Sequence, residues 1–207
     1  MSRVLVVFAH PNLRASRIHT RLLEAVREVE GVTLRDLYER YPEFDVDVAA
    51  EQELLLEHDV VVWQHPLFWY SVPPLLKQWI DLVLTHGWAY GSHGTALEGK
   101  PLLSVISAGA PREAYAPGGY NRFSLRPLLA PLEQTARLCG MRYLPPWAVF
   151  GSHRARAPEL DRIAPAYEAI HRWLVAGGHE RPDLDSREFL DPADPGLDIR
   201  GPGVGVR

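Results

Sequence analysis

Four short runs of almost unbroken apolar residues punctuate the chain: RVLVVFA (3–9), DVVVWQH (59–65), PLLSVIS (101–107) and RYLPPWAVF (142–150). Apolar runs of this length, without polar alternation, predict strands covered on both faces. A fifth stretch, VTLRDLY (32–38), does alternate and predicts an edge strand with one face in water. Between these runs the spacing changes to three and four. Ile18, Leu22, Leu23, Val26 and Val29 share one helical face, and further helical patterns cover 49–57, 73–86, 125–140 and 164–175. Strand and helix therefore alternate along the chain, which calls for parallel strands, right-handed crossovers and helices on both faces of the sheet. The expected fold class is α/β, a doubly wound three-layer domain over residues 1–178 with a five-stranded parallel sheet in the order 2-1-3-4-5. After Gly177-Gly178 the composition shifts to Pro, Gly and Asp without periodicity, so residues 179–207 read as a mobile tail. Its GPGVG (201–205) follows no strand and so carries no weight as a nucleotide cradle.

In an open doubly wound sheet, ligands bind beyond the carboxyl ends of the strands, where the strand order reverses. That singles out three loops: HPNLRASRIHT (10–20), PLFWYSVPP (66–74) and AGAPREAYAPGGYNR (108–122). The first sets His10, Arg14, Ser16, Arg17 and His19 about a helix start, where free N–H groups and the dipole favour an anion. Alternatively Ser16 only caps the helix, with His10 and Arg14 in water. The second loop places three aromatic rings directly after a buried strand, which calls for something flat or apolar over them: a ligand, the third loop, or a neighbouring subunit. The third offers small residues, Ser107 to Ala110, whose N–H groups a ligand can approach, followed by the phenols Tyr115 and Tyr120. Taken singly, it also reads as an ordinary surface loop. An anion site, an aromatic wall and an amide strip on adjacent loops together describe a pocket for flavin mononucleotide (FMN). Neither GxxxxGK[ST] nor GxGxxG occurs at a strand end, which argues against a nucleoside triphosphate or a classical dinucleotide cradle.

Composition narrows the field. With 22 basic against 26 acidic residues, a net charge of −4 and no Lys/Arg run, a nucleic-acid partner is not expected. The nine His make no metal-ligand spacing, so no metal is expected. A single Cys139 in a helical pattern suits core packing in a reducing compartment. No apolar segment reaches the ~20 residues of a membrane span and none has the shape of a signal peptide, which points to the cytoplasm. Glu51, Glu53 and Glu57 read as a solvated helix face, and His65 as a hydrogen-bonding residue at a strand end.

The segments VVFAHP, WQHPLFWYSVPPLLKQWID, HGWAYG, GTALEGK and YLPP, spread over residues 3–150, resemble the flavodoxin-like NAD(P)H:quinone oxidoreductases, and within them the glutathione-regulated potassium-efflux ancillary proteins. The resemblance implies a flavodoxin-like fold with bound FMN. Its phosphate and ribityl chain would lie on His10, Ser16, Arg17, Ile18 and His19, and its ring against Pro66, Leu67, Phe68, Trp69 and Tyr70. The polar edge of the ring would meet Ser107, Ala108, Gly109 and Ala110. It further implies two-electron, ping-pong reduction of a quinone by NAD(P)H, with Tyr115 and Asn121 at the positions of a catalytic Tyr-His pair. A homodimer is implied as well, with the aromatics of GWAYG at the interface. The alternative roles are an ancillary subunit bound peripherally to a membrane potassium-efflux antiporter and a flavodoxin-type electron carrier. The chain departs from its relatives in having His19 for Asn, and Ser-Ala-Gly-Ala (107–110) for Thr-Thr-Gly-Gly.

Overall fold

A computed structural model describes residues 1–194 together with Leu197 and Ile199. Its strands β1 (Val4–Phe8), β2 (Val32–Asp36), β3 (Val60–Pro66), β4 (Pro101–Ser107) and β5 (Arg142–Tyr143) form one parallel sheet in the order β2-β1-β3-β4-β5, as the alternation predicts. A sixth strand, β6 (Trp147–Val149), also pairs with β4. The strand expected over 142–150 is thus cut in two, because Pro145 and Pro146 have no N–H to give the ladder. Tyr143 stands opposite Leu102 and Trp147 opposite Val105, so residues 144–146 face only 103–104, a one-residue bulge.

Alternate residues of the central strands feed two cores. Val4, Val6 and Phe8 of β1 point into a layer with α1 (Arg17–Val26) and α7 (Ala157–Val175). Leu5, Val7 and Ala9 point into the opposite layer, with α3 (Val48–Glu57), α4 (Pro74–Val83) and α6 (Ala130–Leu138). A short α2 (Leu37–Arg40) follows β2, and α5 (Leu125–Leu128) precedes α6. The helix expected over 125–140 breaks between α5 and α6 at Leu129, where α6 begins again with Pro131 in its first turn. α7 starts well before residue 164, because Pro158 is tolerated in a first turn and the Glu159 carboxylate accepts from the Arg156 N–H at 2.6 Å. Cys139 is buried in the α6 layer. Among the described residues no helix is long and apolar enough to cross a membrane.

Two expectations need correcting. Glu51 is fully buried instead of lying on a solvated face: Arg35, Tyr41 and Trp79 surround its carboxylate. The stretch from residue 179 is not a loose tail over its described part. Leu184, Leu190, Leu197 and Ile199 are buried in the α1/α7 layer. Arg142 of β5 donates to Asp185 at 2.9 Å and to the carbonyls of His179 and Arg181 at 2.8 Å. The Leu190 N–H donates to the Pro146 carbonyl, inside the β5/β6 bulge, at 3.0 Å. The GPGVG segment lies outside the described residues.

Candidate functional site

The carboxyl ends of β1, β3 and β4 bring the three loops together. His10, just past β1, meets Phe68, just past β3, edge to face at 5.7 Å between centroids. Leu67 donates its N–H to the Ser107 carbonyl at 2.8 Å, tying the β3 and β4 loops at their roots. Farther out, the Tyr70 hydroxyl donates to Asn121 Oδ1 at 3.1 Å. The convergence expected from topology is therefore physical contact.

At the first loop, Ser16 caps α1: its Oγ accepts from the His19 N–H at 3.2 Å. The first-turn N–H groups of Arg17 and Ile18 have no acceptor within the helix, and the Arg14 and Arg17 side chains are exposed beside them. Ile18 can offer only its backbone, since its side chain lies in the α1/α7 core. Burial pushes the His10 imidazole below its ordinary value, so the ring is neutral at neutral pH. Its Nδ1 accepts from the Asn12 N–H at 3.1 Å, which leaves the ring proton on Nε2 as a donor. The His19 ring is fully buried and turned away from the loop surface, reaching Ser107 and Gln64 beneath it.

The second loop is strained. Phe68 and Ser71 exchange both backbone hydrogen bonds, at 3.1 and 3.0 Å, and the two residues between them, Trp69 and Tyr70, have φ of 49° and 63°. That is a left-handed turn normally made by Asn-Gly, and bulky residues there cost about 1–2 kcal/mol each. The tip holds Trp69 at 93% exposure, with Phe68 and Tyr70 partly exposed beside it. Strain of this kind, spent on pointing aromatic rings into water, is a mark of ligand-binding segments. His65 at the end of β3 is fully buried, donates from Nδ1 to the Pro66 carbonyl at 3.0 Å, and is pushed down to about 4 by burial.

In the third loop the expected strip of free amides is narrower than Ser107 to Ala110. The Ala108 N–H is already given to the Val149 carbonyl at 2.8 Å, and the Ala110 carbonyl accepts from the Gly151 N–H at 2.8 Å. Gly109 lies between them. A Cβ there would stand 2.4 Å from His153 Nε2, so only glycine lets that ring lie against the strip. Tyr115 is pushed upward, first by burial and then by the neighbouring Tyr70, and is a neutral phenol at neutral pH. Its ring packs on Phe150 at 5.7 Å, Phe150 on Phe189 at 6.2 Å, and the Arg112 guanidinium lies over both of those rings. Tyr120 is exposed and stands apart from this cluster.

Sequence reasoning missed Gln64, His153, Phe150 and Phe189. Gln64 carried a signal, a carboxamide inside an otherwise apolar strand; the others sit on a fourth loop, after β6, and on the segment read as a tail. Trp88 and Tyr90 of GWAYG are only partly exposed, packed on the α4 layer of their own chain.

Comparison with known proteins gives a consistent picture. The family described as "Flavodoxin-like fold" matches residues 2–174. The glutathione-regulated potassium-efflux system ancillary protein KefF of Klebsiella pneumoniae is 50% identical over 147 residues, 70% of this chain and 81% of that protein. The general stress protein 14 of Treponema denticola, solved in complex with FMN, is 43% identical with a TM-score of 0.78, over 84% of this chain and 98% of that one. An NADPH-quinone reductase from P. pentosaceus is 36% identical with a TM-score of 0.73, over 80% of this chain and 95% of that one.

Proposed function

Because the chain belongs to the flavodoxin-like family, we propose that it binds FMN and reduces quinones with NAD(P)H, two electrons at a time and in ping-pong order. The observation that carries the reading is the strained aromatic turn at Trp69-Tyr70, set between a helix N-terminus and a phenol. The residues fit the cofactor end to end. Free first-turn amides and the His10 Nε2–H suit a phosphate, the exposed rings of Phe68, Trp69 and Tyr70 suit a flat heterocycle, and Gly109 and Ser107 suit its polar edge. A relative of similar fold was solved with FMN, and another carries the name NADPH-quinone reductase.

When bound, FMN would supply the redox chemistry, two-electron transfer between NAD(P)H and the quinone. The protein's own part is binding and proton placement. The aromatic turn offers a stacking surface to a flat partner, and nicotinamide and quinone using that surface in turn is what supports a ping-pong order. Tyr115 donates its phenolic proton to a substrate oxygen as electron density arrives there, and Asn121 positions the neighbouring Tyr70 hydroxyl.

The protein is expected to purify yellow, to release FMN on denaturation, and to give parallel lines when initial rates are measured against NADPH at several quinone concentrations. Tyr115→Phe should lower kcat for the quinone about 10- to 100-fold while leaving FMN content unchanged. A colourless protein that also fails to take up FMN overturns the proposal. The 50% identity with KefF favours a second reading, docking on a potassium-efflux antiporter, which co-purification with such an antiporter in detergent tests.

A further inference from the structure

Beneath the loops runs a chain of four buried polar side chains whose direction can be read. The Tyr167 hydroxyl, on α7, lies 2.6 Å from Gln64 Oε1 on β3. Gln64 Nε2 lies 3.2 Å from His19 Nδ1 on α1, and His19 Nε2 lies 2.9 Å from Ser107 Oγ at the end of β4. A carboxamide or an imidazole alone could face either way, so the polarity has to come from an end of the chain. Tyr167 provides it. The residue is fully buried between Trp147 and His171, and Gln64 is the one hydrogen-bond partner of its hydroxyl among the described residues. Burial also holds it firmly in the phenol form.

A buried phenol must place its proton on an acceptor, so the Gln64 carbonyl faces Tyr167 and the Gln64 NH2 faces His19. The reverse orientation would leave the phenolic hydrogen without an acceptor in a dry core. An N–H arriving at His19 Nδ1 requires a lone pair there. His19 is kept neutral by burial, which pushes it well below its ordinary value. Its one proton therefore sits on Nε2 and is donated to Ser107 Oγ. With a hydrogen bond already received, the Ser107 hydroxyl keeps its own hydrogen free for an acceptor beyond the end of β4.

We infer that Tyr167, Gln64 and His19 are positioning residues that fix the Ser107 hydroxyl as a donor, selecting a ligand whose edge presents a carbonyl or an unprotonated ring nitrogen at that point. This rests on the FMN reading of the site, since the ring edge of FMN is the acceptor in question. The hydrogen-bond polarity itself does not depend on any ligand.

Long-range 15N–1H NMR of 15N-labelled protein without cofactor reads the His19 tautomer directly. The expected result is a neutral ring protonated at Nε2, with Tyr167→Phe moving signal toward the Nδ1-protonated form; an Nδ1-protonated ring in the unaltered protein overturns the inference. FMN titration then follows the effect outward. Tyr167→Phe and Ser107→Ala should each weaken FMN about two- to tenfold, the loss of one hydrogen bond, and the double variant no more than Ser107→Ala alone. Additive losses would mean that Tyr167 acts through packing, and would overturn it as well. If the unaltered protein takes up no FMN while the Nε2 tautomer is found, the FMN reading fails and the hydrogen-bond chain stands.

Discussion

Trp69 and Tyr70 spend backbone strain where the fold has no need of it, and Trp69, at 93% exposure, has almost no packing to lose. Replacing Trp69 with Asn, which tolerates the left-handed region, should leave the cofactor-free protein as stable or up to about 1 kcal/mol more so, and weaken FMN at least several-fold. Melting temperatures without cofactor, set beside FMN titrations, check this; unchanged affinity would place the flavin elsewhere. Other residues spend free energy on burial. His65 and His171 are fully enclosed, and each is pushed down to about 4 from an ordinary 6.5. The folded protein holds both rings neutral, whereas the unfolded chain takes up their protons below pH 6.5. Their stability contribution is therefore complete above pH 6.5, declines as pH falls from 6.5 toward 4, and levels off below 4. A lowering of that size corresponds to about 3 kcal/mol per ring, and His19 acts in the same direction. Urea unfolding at pH 7.5, 5.5 and 4.5 measures the slope; a curve flat down to pH 4.5 would mean that the rings are hydrated in solution.

At the scale of elements, the Glu51 carboxylate joins four of them. It accepts from Arg35 Nε at 2.7 Å on β2, from the Tyr41 hydroxyl at 2.6 Å after α2, and from Trp79 Nε1 at 2.8 Å on α4, while sitting on α3. Removing one partner of a buried ion pair strands the other, so Glu51→Ala should cost about 3–5 kcal/mol and Glu51→Gln, which keeps the shape and part of the hydrogen bonding, clearly less. Chemical denaturation of the two variants decides it, and equal, small losses would show a hydrated cluster. Glu51 also shows how far the sequence could be read. Glu51, Glu53 and Glu57 look alike as a charged helix face, although Glu51 stands four residues before the buried Leu55 and hence on its face. The residue that makes the burial tolerable, Arg35, lies on a strand 16 positions away, where no local pattern can reveal it. The apolar runs that became β1, β3 and β4 were legible because both of their faces are covered and nothing polar interrupts them. The run that became β5 and β6 was legible as apolar, but the slip in register needed the partner strand to be seen.

At the scale of the whole molecule, the order of strands and helices was enough to say which loops meet, because strand order and crossover hand leave little choice. What closes the molecule behind them was not legible. The matched family region ends at residue 174, yet the described part of the following segment puts Leu184, Leu190, Leu197 and Ile199 into the α1/α7 core. These residues stand six, seven and two positions apart, so no single helix or strand period runs through the four and the segment carries no periodic signature. The segment also reaches the candidate site, since Phe189 backs Phe150, which backs Tyr115. Removing residues 179–207 should therefore do two separable things. Stability should fall, because the α1/α7 core loses the buried side chains of Leu184, Leu190, Leu197 and Ile199 and Arg142 loses its three acceptors; single Leu184→Ala and Leu190→Ala changes, at about 2–5 kcal/mol each, should account for much of it. Flavin content should survive, because every residue proposed to hold FMN lies before residue 123, while the KM for the quinone should rise as the Tyr115 wall loosens. Thermal melts, bound-FMN content and quinone kinetics on the truncated chain and on Phe189→Ala tell these effects apart. Phe189→Ala should reproduce the KM change with much less of the melting change; a truncated chain that melts like the full one would show that the segment does not dock.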